Sequence, residues 1–164
     1  MAVAFVSEML TPIEVIEQIA AANNWEVDHA DKNELVIFVE GRYSEYEVAF
    51  SWLEDVQAIH MACGFELEVS QQRLSQLREL TRLLNESAWV GHFDYWREAD
   101  MVLFRHAVLC PDGEAFSATQ AYVMLAKGME VCEANHAAFK FVVEDNLSAA
   151  EALASNITET KGNA

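Results

Sequence analysis

The stretch WVGHFDYW, Trp89 to Trp96, sets a histidine and an aspartate two residues apart among aromatic side chains, and FRHA, Phe104 to Ala107, follows close behind. Imidazole, carboxylate and guanidinium groups at such spacing could hold a metal or move a proton. A metal site needs three or four converging donors, whereas His92 and Asp94 supply two, and Arg105 beside them brings a competing cation. General-base chemistry by His92 or Asp94 needs a concavity and a companion group, and a flat sheet face offers neither. The reading that asks for nothing further is an Asp94–Arg105 ion pair on the outside of a strand pair, with His92 beside it. Cys132 and His136 stand four apart on one helix face, a spacing open to a ligand pair, a thiolate–base pair or plain core packing.

Strand alternation sorts the opening stretch. A turn centred on Glu98 and Ala99 pairs Trp96 with Met101, Asp94 with Leu103, His92 with Arg105, and Gly91 with His106. One face then holds Trp89, Phe93, Tyr95, Val102, Phe104 and Val108 and is expected in the core, with His106 over Gly91 as a satisfied core histidine. The other face carries His92, Asp94, Trp96, Leu103 and Arg105.

The remaining elements must position this pair of strands. Thr11, Pro12 and Glu14 form a capping box with proline at the first helical position, and Ile13, Ile16, Ile19 and Ala20 recur at helical spacing up to an exit at Asn23-Asn24. ELVIFVEG reads as a strand. YSEYEVAFSW and VQAIHMACGFELEV then alternate strictly, with Tyr46, Val48, Phe50 and Trp52 on one face and Ile59, Met61, Cys63, Phe65, Leu67 and Val69 on the other run's matching face. A turn at Leu53–Val56 would pair Phe50 with Ile59 and Val48 with Met61. A second helix is expected after Ser70 as cap, with Leu74, Leu77, Leu80, Leu84 and Ala88 as its stripe. A third opens at the Ser117/Gln120 capping box and turns Tyr122, Leu125, Met129 and Cys132 inward. Ser148 with Glu151 caps a last short helix, and TETKGNA is expected to fray. The order α-β-β-β-(β)-α-β-β-α-α, with strands arriving as hairpins, points to an α+β fold: an antiparallel sheet with helices on one face.

The chain has 164 residues, 52% of them hydrophobic, and only six glycines and two prolines, so one domain spanning 1–164 is expected, with its core at about 11–158. Ten basic against twenty-seven acidic side chains leave a net charge of −17, which disfavours nucleic acid and anionic membranes as partners. The surplus is uneven: residues 1–60 carry twelve acids and two bases, residues 61–110 seven and five, residues 111–164 eight and three. Cys63, Cys110 and Cys132 are odd in number with no CxxC spacing, which fits a reducing compartment. The N-terminus lacks the basic region of a signal peptide, and no apolar run reaches the roughly 20 residues of a spanning helix. A cytoplasmic location is expected. Dinucleotide, phosphate-loop, zincin, serine-hydrolase and EF-hand motifs are absent, and no cofactor is implied.

GRYSEYEVAFSW, AIHMACGFEL, LNESAWVGHFDYW and FRHA together resemble the YbjN family, in particular its alphaproteobacterial branch, over residues 12–160. The most specific part is N-x-x-x-W-x-G-H-F-D-x-W, carried by Asn85, Trp89, Gly91, His92, Phe93, Asp94 and Trp96. The resemblance implies a fold like the class-I type III secretion chaperones, an α+β sandwich that commonly dimerises, and a cytoplasmic regulatory or chaperone-like role linked to stress response and motility. It implies no catalytic residue. FVVEDNLSAAEAL departs from it in lacking a glycine-rich turn before the last helix.

Three functions follow as expectations. The first is a non-enzymatic module that binds a protein or peptide and forms a homodimer, with His92, Asp94, Trp96, Arg105 and His106 as signature or interaction residues. The second is a small-molecule- or metal-dependent enzyme using His92, Asp94, Arg105 and His60. The third is a structural subunit whose exposed aromatics, with Tyr43, Trp25 and Trp96 as candidates, form an interface.

Overall fold

A computed structural model describes residues 10–111 and 115–162, with the backbone alone for 158–162. Helix α1 spans Pro12–Asn23. Its first turn is closed by the expected capping box, in which the Thr11 N–H donates to Glu14 Oε2 at 2.7 Å and the Glu14 N–H to Thr11 Oγ1 at 3.3 Å. Asn24, left-handed at φ 55°, ends it. Four strands follow, β1 (Glu26–Asp31), β2 (Glu34–Glu40), β3 (Glu45–Leu53) and β4 (Ala58–Glu66), then α2 (Leu74–Glu86), β5 (His92–Trp96), β6 (Met101–Leu109), α3 (Ala118–Val143) and α4 (Ala149–Gly162). The order is the one the sequence predicts, with the fourth strand present.

All six strands form one antiparallel sheet in the order β1-β2-β3-β4-β6-β5. Alternation fixes its two faces. Leu35, Ile37, Tyr46, Val48, Phe50, Ile59, Met61, Cys63, Phe65, Val102 and Phe104 are buried in one cluster with Ile13 and Ile16 of α1, Leu77 and Leu80 of α2, and Leu125, Phe139 and Val142 of α3. Gly128 lets α3 lie close on β4, since a Cβ there would stand 2.7 Å from Met61 Cε and 3.1 Å from Cys63 Cβ. The helices cover this face, and α4 packs on α2 and α3.

Several expectations need correction. The β3–β4 hairpin sets Phe50 opposite Met61 and Val48 opposite Cys63, two residues from the expected pairing. A 3-10 turn at Glu54–Val56 followed by Gln57 at φ 50° keeps the connection at four residues but moves it one residue along the chain. A two-residue slip returns every side chain to its own face, so the apolar pattern is satisfied in either register. Helix α2 starts at Leu74 without a side-chain cap, Ser70 lying in the turn before it, and ends before the exposed Ala88. Tyr122 on α3 is exposed, because the buried stripe runs through Ala121, Met124, Leu125, Gly128 and Cys132 instead.

The Ser117/Gln120 box caps α3 and the Ser148/Glu151 pair caps α4, as predicted. Between these helices Asn146 takes a left-handed φ of 56°, the conformation that the missing glycine would have supplied. Residues 158–162, expected to fray, continue α4 as helix. The fraying expected at residues 1–9 and 163–164, and the signal-peptide reading, fall outside the described residues.

Candidate functional site

Strands β5 and β6 pair as the sequence predicts: His92 opposite Arg105, Asp94 opposite Leu103, Trp96 opposite Met101. The odd-numbered side chains of β6 therefore point to the face that no helix among the described residues covers, as do His92, Asp94 and Trp96. Arg105 Nη1 donates to Asp94 Oδ2 at 3.3 Å, and Arg105 Nε donates to His60 Nε2 at 3.3 Å. His60 arrives from β4, opposite Ala107. Accepting from a guanidinium occupies the His60 lone pair that proton abstraction would need. Burial holds His60 below the ordinary histidine range, and Arg105, His92 and His106 push it further down against Glu34. Arg105 and Asp94 are about half accessible, so their ion pair is a weak, screened contact. A shallow hollow of about 390 Å³ lies over His60, His92 and Arg105.

The segment leading into β5 is the part that alternation misreads. Gly91 sits at φ +67°, and a Cβ there would meet Phe104 Cζ at 2.4 Å and the Arg105 carbonyl at 2.7 Å. The left-handed turn breaks the two-residue period, so Gly91 does not pair with His106, and Trp89 swings out of the core to 100% exposure. Phe93 is buried and Tyr95 half-buried, its hydroxyl donating to Asp100 Oδ1 at 2.7 Å, so those two keep their expected side. Burial, then that bond, pushes the Tyr95 phenol up to about 12.

Asn85 anchors the loop from α2. Its carboxamide accepts from the Phe93 N–H at 2.6 Å and donates to the Phe93 carbonyl at 2.9 Å, satisfying both groups on the outer edge of β5 as a further strand would. Two apolar cavities flank the loop. One of about 430 Å³ is lined by Leu84, Trp89, Val90, Phe93, Phe104 and Val131; the other, about 440 Å³, by Val90, Val108, Val123 and Met124. Lys127 borders both.

The other candidates lie elsewhere. His106 is half-buried on the helix-covered face opposite Met61, and burial lowers its pKa. Cys132 and His136 share one face of α3 but are held apart by separate jobs. The Cys132 thiol donates to the Cys63 carbonyl at 3.4 Å, and its pKa is raised by hydrogen bonding to Cys63 and by burial. The His136 ring stacks on Tyr43 at 5.5 Å and lies 4.7 Å from Phe65, with burial and then Lys140 lowering its pKa. Among the described residues no three His, Cys, Asp or Glu side chains converge on a point that could hold a metal. Trp25 packs against the core, whereas Tyr43 and Trp96 are exposed. Neither Asn85 nor Trp89 stands out as functional in the sequence; Asn85 carries no signal beyond the family stretch, and Trp89 only the glycine two residues on.

The described residues form an α+β fold, a six-stranded antiparallel sheet with helices packed on one face and a shallow hollow on the other. The chain belongs to the YbjN family: residues 12–141 match that family's model, described as "Putative bacterial sensory transduction regulator". No curated protein and no solved structure matches the chain. No helix among the described residues is long and apolar enough to cross a membrane.

Proposed function

We propose that this chain is a single-domain, cytoplasmic, non-enzymatic regulator that works by binding another protein through the surface around Trp89, Trp96, His92, Asp94 and Arg105. The observation that carries this reading is Trp89. Its side chain is wholly exposed on a loop whose exit is turned by Gly91 and tied back to α2 by the Asn85 bonds to Phe93. A large exposed aromatic beside an apolar cavity is a usual anchor of a protein interface, because burying it removes a large apolar area from water. The family description as a sensory transduction regulator supports the same reading. A homodimer belongs to the proposal through the resemblance of the fold to secretion chaperones, and roles in stress response or motility through the resemblance to the YbjN family.

The test combines Trp89→Ala and Trp96→Ala with light scattering and with phenotyping of the host strain. Both variants should melt as the parent does, since neither side chain supports the core. Trp89→Ala should abolish the regulatory phenotype of a deletion-complementation assay. Full complementation by the double variant would remove the surface from consideration.

A further inference from the structure

Strand β5 is shorter than the strand it covers. Its pairing with β6 stops at His92–Arg105, while β6 continues to Leu109. The ladder with β4 fixes where the remaining backbone groups point. Bonds from the Leu67 N–H to the Asp100 carbonyl and from the Cys110 N–H to the Gln57 carbonyl bracket that ladder, so even-numbered residues of β6 bond towards β4. The N–H and C=O groups of Ala107 and Leu109 therefore face the opposite way, and no described residue pairs with them. Both residues are exposed, Leu109 at 73%. Elsewhere this edge is partly blunted: Asn85 bonds both backbone groups of Phe93, and the Tyr95 N–H donates to Asp94 Oδ1 at 2.8 Å. The gap at Ala107–Leu109 is thus a local opening beside a partly blunted edge.

The two sides of the opening differ chemically. On the helix side, beside Val108, lies the 440 Å³ cavity walled by Val90, Val123 and Met124. On the bare side, beside Ala107, lies the hollow carrying Arg105, His60 and His92. Residues 61–110 are also the least acidic third of a chain that is otherwise strongly negative. A strand laid along this edge alternates between the two sides.

We propose that the β6 edge at Ala107–Leu109 takes up an extended segment of a partner protein by strand addition. The segment's residue opposite Val108 is bulky and apolar and fills the cavity, and its neighbour opposite Ala107 is a carboxylate set against Arg105 and His60. This rests on the protein-binding reading above and names the chemistry of the segment bound.

The experiment uses the full chain and three fluorescein-labelled peptides: TVEFEVT, the same peptide with both glutamates replaced by lysine, and the same with phenylalanine replaced by serine. Fluorescence anisotropy should show TVEFEVT binding at least tenfold tighter than either relative, and hydrogen exchange should slow at Ala107 and Leu109 on binding. Ala107→Pro removes an N–H that no β4 bond uses, and Val123→Arg fills the cavity mouth from an exposed position; each should weaken TVEFEVT binding at least tenfold while leaving the melting temperature within a few degrees. Equal binding of the three peptides, or undiminished binding by both variants, overturns the proposal. A dimer that Ala107→Pro dissociates also overturns it, by giving the edge to a second copy. If Trp89→Ala abolishes regulation in the host while the two edge variants retain it, the interaction reading stands and strand addition is the part that fails.

Discussion

Gly91 and Asn85 work together at the point where the chain enters β5. Replacing Gly91 by alanine combines a left-handed backbone strain with a Cβ driven into the Phe104 ring and the Arg105 carbonyl, which together cost about 2–4 kcal/mol. Chemical denaturation of Gly91→Ala should show that loss as a lower midpoint with unchanged slope. Asn85→Ala leaves two Phe93 backbone groups without their side-chain partners and should cost about 1–3 kcal/mol. Asn85→Asp should recover less than the full loss, because a carboxylate accepts from the Phe93 N–H but cannot donate to its carbonyl.

His60 and His136 give a pH dependence. Both sit below the ordinary histidine value of 6.5, His60 chiefly by burial and then Arg105, His136 by burial and then Lys140, with Glu144 and Glu133 opposing in the second case. A depressed histidine leaves stability whole above the unfolded value, and the native state loses ground as pH falls from there towards the folded value, since the unfolded chain takes up protons first. Melting temperature should therefore drop between pH 7 and pH 5 in a titration by scanning calorimetry. His136→Phe, which keeps a ring between Tyr43 and Phe65, should flatten the part due to that site. An unchanged slope in the variant would assign the pH dependence elsewhere.

At the scale of elements, two kinds of local signal were legible. Strict alternation identified β3 to β6 and their faces, and three capping boxes located the starts of α1, α3 and α4, because both are short-range rules that tertiary packing seldom overrides. The errors have equally local causes. Alternation carried through Gly91, where a positive φ resets the period, puts Trp89 inside the core. The β3–β4 register is invisible to an apolar pattern, because a slip of two residues changes no face. Along α3 apolar residues are spread around much of its circumference, so Tyr122 and Ala121 compete for the buried stripe and only packing against Met61 and Cys63 decides between them.

The candidate site was half legible for the same reason. The Asp94–Arg105 contact and the outward placement of His92 follow from pairing within one hairpin. The Arg105–His60 bond spans 45 residues of sequence, and the bare edge of β6 depends on where the chain leaves the sheet, so neither is a property of any short stretch. Ser117→Ala should lower stability by about 1 kcal/mol through loss of the α3 cap, without altering the β6 edge, and amide exchange at Ala107 and Leu109 would confirm that separation.

Across the whole molecule the net charge of −17 is concentrated in the N-terminal third, and part of it lies on the bare face of the sheet. Glu47 is raised above the ordinary carboxyl value by burial and then by Glu66 and Glu45. A raised carboxyl favours the native state only below its unfolded value and opposes it as pH climbs through the folded value. Glu47→Gln should accordingly raise the melting temperature near neutral pH, with the gain shrinking as pH falls towards 4.5. Added salt should stabilise the parent more than the variant, by screening the same repulsion.

The surface least affected by that charge is the one built from β5, β6 and the Trp89 loop, and the account stands or falls on its being a protein-binding surface. The direct measurement is photo-crosslinking in the host cell from a benzophenone amino acid placed at residue 89, with position 28, an exposed site on β1 at the opposite edge of the sheet, as control. Binding of a protein by this surface predicts one discrete protein adduct from position 89, absent from position 28 and lost when untagged parent protein is overexpressed as competitor. Equal labelling from both positions, or no adduct from position 89, would contradict it.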